Sequence, residues 1–168
     1  MLRGGGVVSP FPTLGSGSDT KGYWVGGTVG NKLIVAPVSS QTGNLAWGAE
    51  SSRGTTNTTD GLSNTNTLYS FGSAAQPAAY FAKSVSTGGY NTWYLPAKIE
   101  LMSILTNNTK TPFATANALY VNCWHWSSTE DDYSGAWASK PYAGGGGYTG
   151  PKAKPSGYYA RAVRRTTV

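Results

Sequence analysis

Trp126-Ser127-Ser128-Thr129-Glu130, followed by Ala136-Trp137 and, beyond a glycine-rich excursion, by Arg161-Ala162-Val163-Arg164, is the stretch on which the fold turns. Aromatic, hydroxyl and β-branched side chains make strands of residues 124–128, 135–139 and the closing run 158–165. Upstream the pattern changes period. Ala78, Ala79, Phe81, Ala82 and Val85 share one helical face, so residues 62–71 and 77–85 read as one interrupted helical region that Gly88-Gly89 stops. A second helix begins near Pro96 and runs through Ile99, Leu101, Met102, Ile104 and Leu105 until Asn107-Asn108. Before these, residues 23–29 and 32–38 read as strands around a Gly30-Asn31 turn, and Trp47-Gly48 opens a Ser/Thr/Asn/Gly-rich loop to about Asp60. Strands, then helices, then strands predict an α+β domain, with two helices packed on small, twisted antiparallel sheets joined by long loops.

The chain of 168 residues is one domain by length and can bury a core without staples. Cys123 is the single cysteine, which excludes an intrachain disulfide. Residues 1–20 are rich in Gly, Pro and Ser and read as a flexible arm that orders against another subunit, leaving 21–168 as the domain. No apolar run is long enough to cross a bilayer, and no leader-like segment opens the chain. The net charge of +6 lies in the last part: residues 133–168 carry six Lys and Arg and no acid, while residues 1–132 hold seven of each sign. Such a region selects an anionic partner without naming its chemistry.

Catalytic groups are scarce. His125 is the only histidine, and with Cys123 alone beside it neither a triad nor a metal site can converge, so no cofactor and no metal are expected. Glu130-Asp131-Asp132 is the one acidic cluster, read as a framework carboxylate followed by two solvated loop residues. Gly144–Gly147 lacks the lysine, hydroxyl and helix of a phosphate-binding loop and reads as the centre of a mobile loop over residues 142–157. Across residues 133–159 Tyr133, Tyr142 and Tyr148 alternate with Gly, Ser and Lys, and with Lys152 and Lys154 they form the candidate ligand surface. Tyrosine offers a flat apolar face and a polar tip at low entropic cost.

Taken with Trp93-Tyr94-Leu95-Pro96, Glu100 and Leu101, the motifs quoted above resemble the Legionella collagen-like protein C-terminal (Lcl-C-like) domain family, a branch of the C-type-lectin-like folds, over about residues 26–165. The resemblance implies a structural framework of Trp93, Leu95, Pro96, Glu100, Leu101, Trp126, Ser127, Ser128, Glu130, Trp137, Arg161, Val163 and Arg164. It places Trp93, Trp126 and Trp137 in the core. It also implies that the first and last strands lie side by side, residues 23–29 near 158–165. The family usually has Ser or Thr after the proline where this chain has Ala97, so the side-chain cap of that helix is missing. The Glu-Pro-Asn and Trp-Asn-Asp motifs of calcium-dependent lectins are absent, which predicts calcium independence, and one cysteine excludes the site of the related formylglycine-generating enzymes.

The resemblance points to binding and not to catalysis. A bacteriophage virion protein, whether tail fibre, spike or capsid-surface component, accounts for the missing leader and missing disulfides. Its expected partners are other virion subunits through the arm, a host-surface glycan or anionic polymer, and further copies of itself, with no membrane insertion and nucleic acid disfavoured. The alternatives are a cellular or secreted adhesin that binds glycan, for which the family's association with sulfated polysaccharide suits the basic tail, and the variable protein of a diversity-generating retroelement.

Overall fold

A computed structural model describes residues 17–18, 22–25, 33–110 and 118–166. In chain order its elements are β1 (Gly17–Ser18), β2 (Gly22–Val25), β3 (Leu33–Val35), β4 (Thr42–Leu45), α1 (Gly61–Tyr69), α2 (Pro77–Ser84), α3 (Lys98–Asn107), β5 (His125–Glu130), β6 (Gly135–Pro141), β7 (Gly147–Ala153), β8 (Tyr158–Ala160) and β9 (Val163–Arg165). The α+β class holds, with three helices where two were expected. α1 and α2 are separate because Gly72, at φ 85°, turns the chain between them in the left-handed region. The arm expected over residues 1–20 lies outside the described residues except at Gly17–Ser18, which pair with Gly22–Tyr23 as β1.

Two sheets carry the strands, in the orders β1-β2-β3-β9 and β4-β8-β5-β6-β7. The closing run expected as one strand is therefore two strands in different sheets. Between them Arg161 is fully buried and its Nε donates to the Ala36 carbonyl at 2.7 Å, while Ala36 N donates to Ala162 O at 2.9 Å. These bonds pull the chain across from one sheet to the other. The terminal strands do share a sheet, but β3 lies between β2 and β9, so they are not direct neighbours. Residues 147–153, expected within a mobile loop, form β7 and pair with β6 over seven successive residues.

The core divides in two, where a single convergence of the framework was expected. Trp93-Tyr94-Leu95 is extended, with Tyr94 bridged to Val163, so alternate side chains go to opposite faces. Trp93 and Leu95 join Trp47, Trp126, Ala138 and Ala160; Tyr94 joins Leu33, Val35, Leu101, Ile104 and Val163. Trp137 is a further correction to the expected core. On β6 it points away from Ala136 and Ala138, is only half-buried, and lies beneath Lys98 Nζ at 3.1 Å from the ring centroid.

The start of α3 shows how the missing cap is made good. Pro96 precedes the helix instead of opening it, and Ala97 stands at the cap position. Glu100 Oε2 reaches back to Ala97 N at 2.9 Å and to Gly61 N at 3.2 Å, Lys98 N donates to Thr129 Oγ1, and Ile99 N donates to Thr58 O. The free amides of the first turn are thus satisfied from elsewhere in the fold. Gly61 is required there, because a Cβ would stand 2.4 Å from Ala97 N and 2.7 Å from Leu95 O. Buried Thr65 makes the parallel link from α1: its hydroxyl donates to Leu95 O at 3.1 Å and accepts from Leu95 N at 3.0 Å. Thr65→Val keeps the shape but orphans both main-chain polar groups of Leu95. It is expected to cost about 1–3 kcal/mol in urea denaturation; no measurable change would show that the link does not hold α1 to this segment.

Candidate functional site

The β6–β7 hairpin builds the most chemically distinctive surface. Lys140 pairs with Tyr148 and Ala136 with Lys152, so strand alternation sends Lys140, Tyr148 and Lys152 to one face. Trp124, just before β5, is half-buried on this face and forms its floor. Lys152 Nζ stands 4.1 Å from the Trp124 ring centroid and Lys140 Nζ 5.4 Å, while Tyr148 meets the Trp124 ring edge-on at 5.7 Å. Tyr148, 52% exposed, also folds over Gly150: a Cβ at that position would lie 2.6 Å from its ring. The turn of the hairpin closes with Tyr142 N to Gly146 O and Gly145 N to Tyr142 O. Gly145 and Gly146 sit at φ 99° and 67°, which is why glycines fill it. Exposed Tyr142 stands at the same end, 5.7 Å from Lys140 Nζ. Two ammonium groups, an indole and two phenols therefore share one solvent-facing patch.

Two of the five expected ligand residues do not belong to this patch. Tyr133 is exposed, but it sits in the turn before β6, while Tyr142 follows the strand; the length of β6 puts them about 20 Å apart. Lys154 is the larger correction, since it is fully buried. Its Nζ donates to Glu130 Oε1 at 2.6 Å and to the carbonyls of Asp132, Ser51 and Tyr133 at 2.7, 2.8 and 2.9 Å. Strand alternation cannot announce this, because β7 ends at Ala153 and the chain turns inward there. Conversely, Trp124 and Lys140 belong to the surface although sequence reading assigned the first to a strand and the second to an undivided basic tail. The signal that could have found them is the register Lys140 opposite Tyr148. Exposed Tyr120, edge-on to Tyr159 at 5.3 Å, borders the same end, because the turn it opens is tied by Asn122 N to Pro141 O.

The framework residues are held as structure. Glu130 accepts from Arg53 N and Gly54 N as well as from Lys154. Burial pushes its carboxyl up, yet the ammonium and these amides outweigh that and hold it below the ordinary carboxylate range. Ser127 Oγ donates to Trp137 O, Trp47 Nε1 donates to Ser127 O, and Ser128 N donates to Pro96 O. Buried Glu100 is pushed up by burial, against the pull of Ala97 N, the Tyr94 hydroxyl and the Arg165 guanidinium. The Arg164 guanidinium sits over the Tyr90 ring, 3.7 Å from its centroid. Asp132, in solvent, caps its own turn through Ser134 N and Gly135 N. His125 is sealed inside, its Nδ1 2.9 Å from Cys123 O.

The family model described as the Lcl C-terminal domain matches residues 36–164. Among solved structures, a fimbrial protein from Bacteroides ovatus ATCC 8483 is similar over 80% of this chain, with a TM-score of 0.54 and 12% sequence identity. The chain spans 35% of that protein's length, and at this identity the likeness is one of fold. No curated protein matches the chain in sequence.

Proposed function

Because the chain belongs to the Lcl C-terminal domain family, we propose that it is a non-enzymatic, surface-exposed adhesin-like module of C-type-lectin-like architecture, which binds anionic glycan through the Trp124–Tyr148 patch. One observation carries the proposal: Lys140 and Lys152 both stand over the ring of a single half-buried indole, 5.4 and 4.1 Å from its centroid, with Tyr148 edge-on beside it. Aromatic faces stack on sugar rings, and the ammonium groups supply the charge for carboxylate or sulfate substituents. The one histidine is occupied in the core and offers no reactive nitrogen to solvent. Between the readings open from sequence, the family match and the fimbrial relative favour an adhesin over a virion component. Among the described residues no helix is long and apolar enough to cross a membrane.

The test is binding to immobilised heparin, with neutral dextran as the control. Lys140→Ala and Lys152→Ala are each expected to slow association and to flatten the loss of binding with added salt, since exposed charges are screened within about 8 Å at physiological ionic strength. Tyr148→Ser is expected to speed release about tenfold, on the order of 1.4 kcal/mol. Heparin binding unchanged in all three variants would remove the site from this face, and equal retention on dextran would remove the charge requirement.

A further inference from the structure

The turn that opens β6 shapes a recess of about 260 Å³ against the end of β7, lined by Asp131, Asp132, Ser134, Gly135, Pro151 and Lys152. Gly135 keeps it open, because a Cβ there would stand 3.7 Å from both the Asp131 and the Pro151 Cβ and 3.2 Å from Asp132 Oδ1. Both acids are exposed. Asp132 spends Oδ1 on its own turn, accepting from Ser134 N, Ser134 Oγ and Gly135 N. Asp131 is fixed through its main chain, its N–H donating to Gly135 O at 3.0 Å, and among the described residues its carboxylate is in no ion pair. The volume lies just under the range of about 300–1,000 Å³ that holds drug-sized ligands, and so suits a single sugar ring.

Lys152 connects this recess to the Trp124–Tyr148 patch, since it lines the one while its Nζ stands 4.1 Å from the Trp124 centroid in the other. Pro151 alternates with Lys152 along β7 and faces the opposite way, and β7 is the last strand of its sheet, so a glycan laid over the patch can pass round that edge into the recess. The two ends differ in charge. Lys140 and Lys152 flank Trp124, whereas in the recess two carboxylates outnumber the one ammonium. Carboxylates repel a sulfate or a further carboxylate, but they accept hydrogen bonds from sugar hydroxyls. The Pro151 ring supplies an apolar wall beside them. We infer, resting on the glycan reading of the patch, that the recess is a second subsite, which takes an uncharged, hydroxyl-bearing ring of the same glycan whose acidic ring lies over Trp124. The glycan selected is then one whose charge is interrupted by uncharged rings, in preference to one charged at every ring.

The test compares hyaluronan, in which a carboxylate-bearing ring alternates with an uncharged one, with heparin at the same ionic strength. Asp131→Ala is expected to weaken hyaluronan binding about tenfold and to strengthen heparin binding. The sign decides, because an acid that merely stood near the site would on removal raise the affinity for both polyanions, only repulsion being lost. The melting temperature is expected to stay that of the wild type, since Asp131 is exposed and its turn is closed through the main chain. Gly135→Ala puts a methyl group into the recess with no change of charge, and it is expected to lower the ratio of hyaluronan to heparin affinity as well. Tyr148→Ser, on the patch itself, is expected to weaken both polymers. Hyaluronan affinity that stays level or rises in Asp131→Ala, with heparin binding still weakened in Tyr148→Ser, would overturn the second subsite and leave the patch standing. So would a wild type that holds heparin but not hyaluronan. A wild type that holds neither polymer would overturn both readings.

Discussion

Lys154→Ala is expected to remove about 3–5 kcal/mol of folding stability, although the residue is a lysine near the end of a basic, glycine-rich segment. The wild-type ammonium is fully buried and faces four oxygens from two separate parts of the chain, Ser51 and residues 130–133. Its removal leaves the Glu130 carboxylate inside the protein with only the Arg53 and Gly54 amides, and strips the carbonyls of Ser51, Asp132 and Tyr133 of their donor. Breaking a buried pair from one side is costly because the charge left behind has lost its compensation. For a domain whose whole stability is about 5–15 kcal/mol, that is a large fraction. The loop should loosen too, because Trp47 N and Gly48 N hold the main chain of Lys154 while Glu130 holds the amides at 53 and 54. Trypsin is then expected to cut after Arg53 in the variant and to spare that bond in the wild type. Urea denaturation measures the cost, and combining Lys154→Ala with Glu130→Gln should cost less than the sum of the two, as coupled neighbours do. A loss below about 1 kcal/mol would mean that the pair is solvated and that the lysine is available to ligand after all.

Lys154 also marks where sequence reading stops. Elements with a strong period or strong punctuation were legible: α1 and α2 between loop residues and glycines, β5 and β6 from their aromatic and hydroxyl runs, and Glu130 as an acceptor in the framework. What stayed hidden depends on which way the chain turns at a single residue. Tyr158 to Arg165 is one β-favouring run by composition, and only the burial of Arg161 against Ala36 O divides it between two sheets. Trp93, Tyr94 and Leu95 are all fully buried, yet an extended backbone divides them between two cores, which no list of apolar residues reveals. Trp137 reads as core because tryptophan usually is, but its strand position puts it under Lys98 on the outer face.

The same limit governs the candidate site. Composition marks out a Tyr- and Lys-rich region but treats its members as equivalent. Register separates them: Lys140, Tyr148 and Lys152 share a face, Tyr133 lies beyond the far end of β6, and Lys154 turns inward. The glycine run, read as a mobile loop, is the tight turn that permits this register, since Gly145 and Gly146 adopt the left-handed backbone that a larger residue would strain. Trp124 was hidden for the opposite reason. It is the floor of the patch because β5 begins at His125, one residue later, leaving its ring half-covered at the sheet's end.

Stability is expected to fall steeply as pH drops below about 6.5, and the cause is His125. The ring is fully buried, and burial, with the nearby Arg161 guanidinium, outweighs the Cys123 and Ser139 main-chain contacts that favour its protonated form; its pKa is lowered to about 3. Since Cys123 O can only accept, the neutral ring carries its proton on Nδ1 and donates across the 2.9 Å contact. In the unfolded chain the same ring protonates near 6.5, so below that pH the unfolded state binds a proton that the folded state refuses. The full stability is present above 6.5 and is lost at about 1.4 kcal/mol per pH unit on the way down, until the folded ring itself protonates near 3. Glu130 and Asp132, both held below their ordinary values, add to the loss only in the carboxylate range, whereas Glu100, held above its own, opposes it there. The decade and a half from about 6.5 to about 5 therefore isolates the histidine, before ordinary carboxylates titrate. His125→Asn keeps a donor for Cys123 O and removes the titration, so its stability should be nearly flat across that interval where the wild type loses about 2 kcal/mol. Urea midpoints at half-unit pH steps measure both. A wild type as flat as the variant would place the imidazole within reach of solvent and end its assignment as a sealed core residue, while equal slopes in both proteins would move the proton uptake to another group.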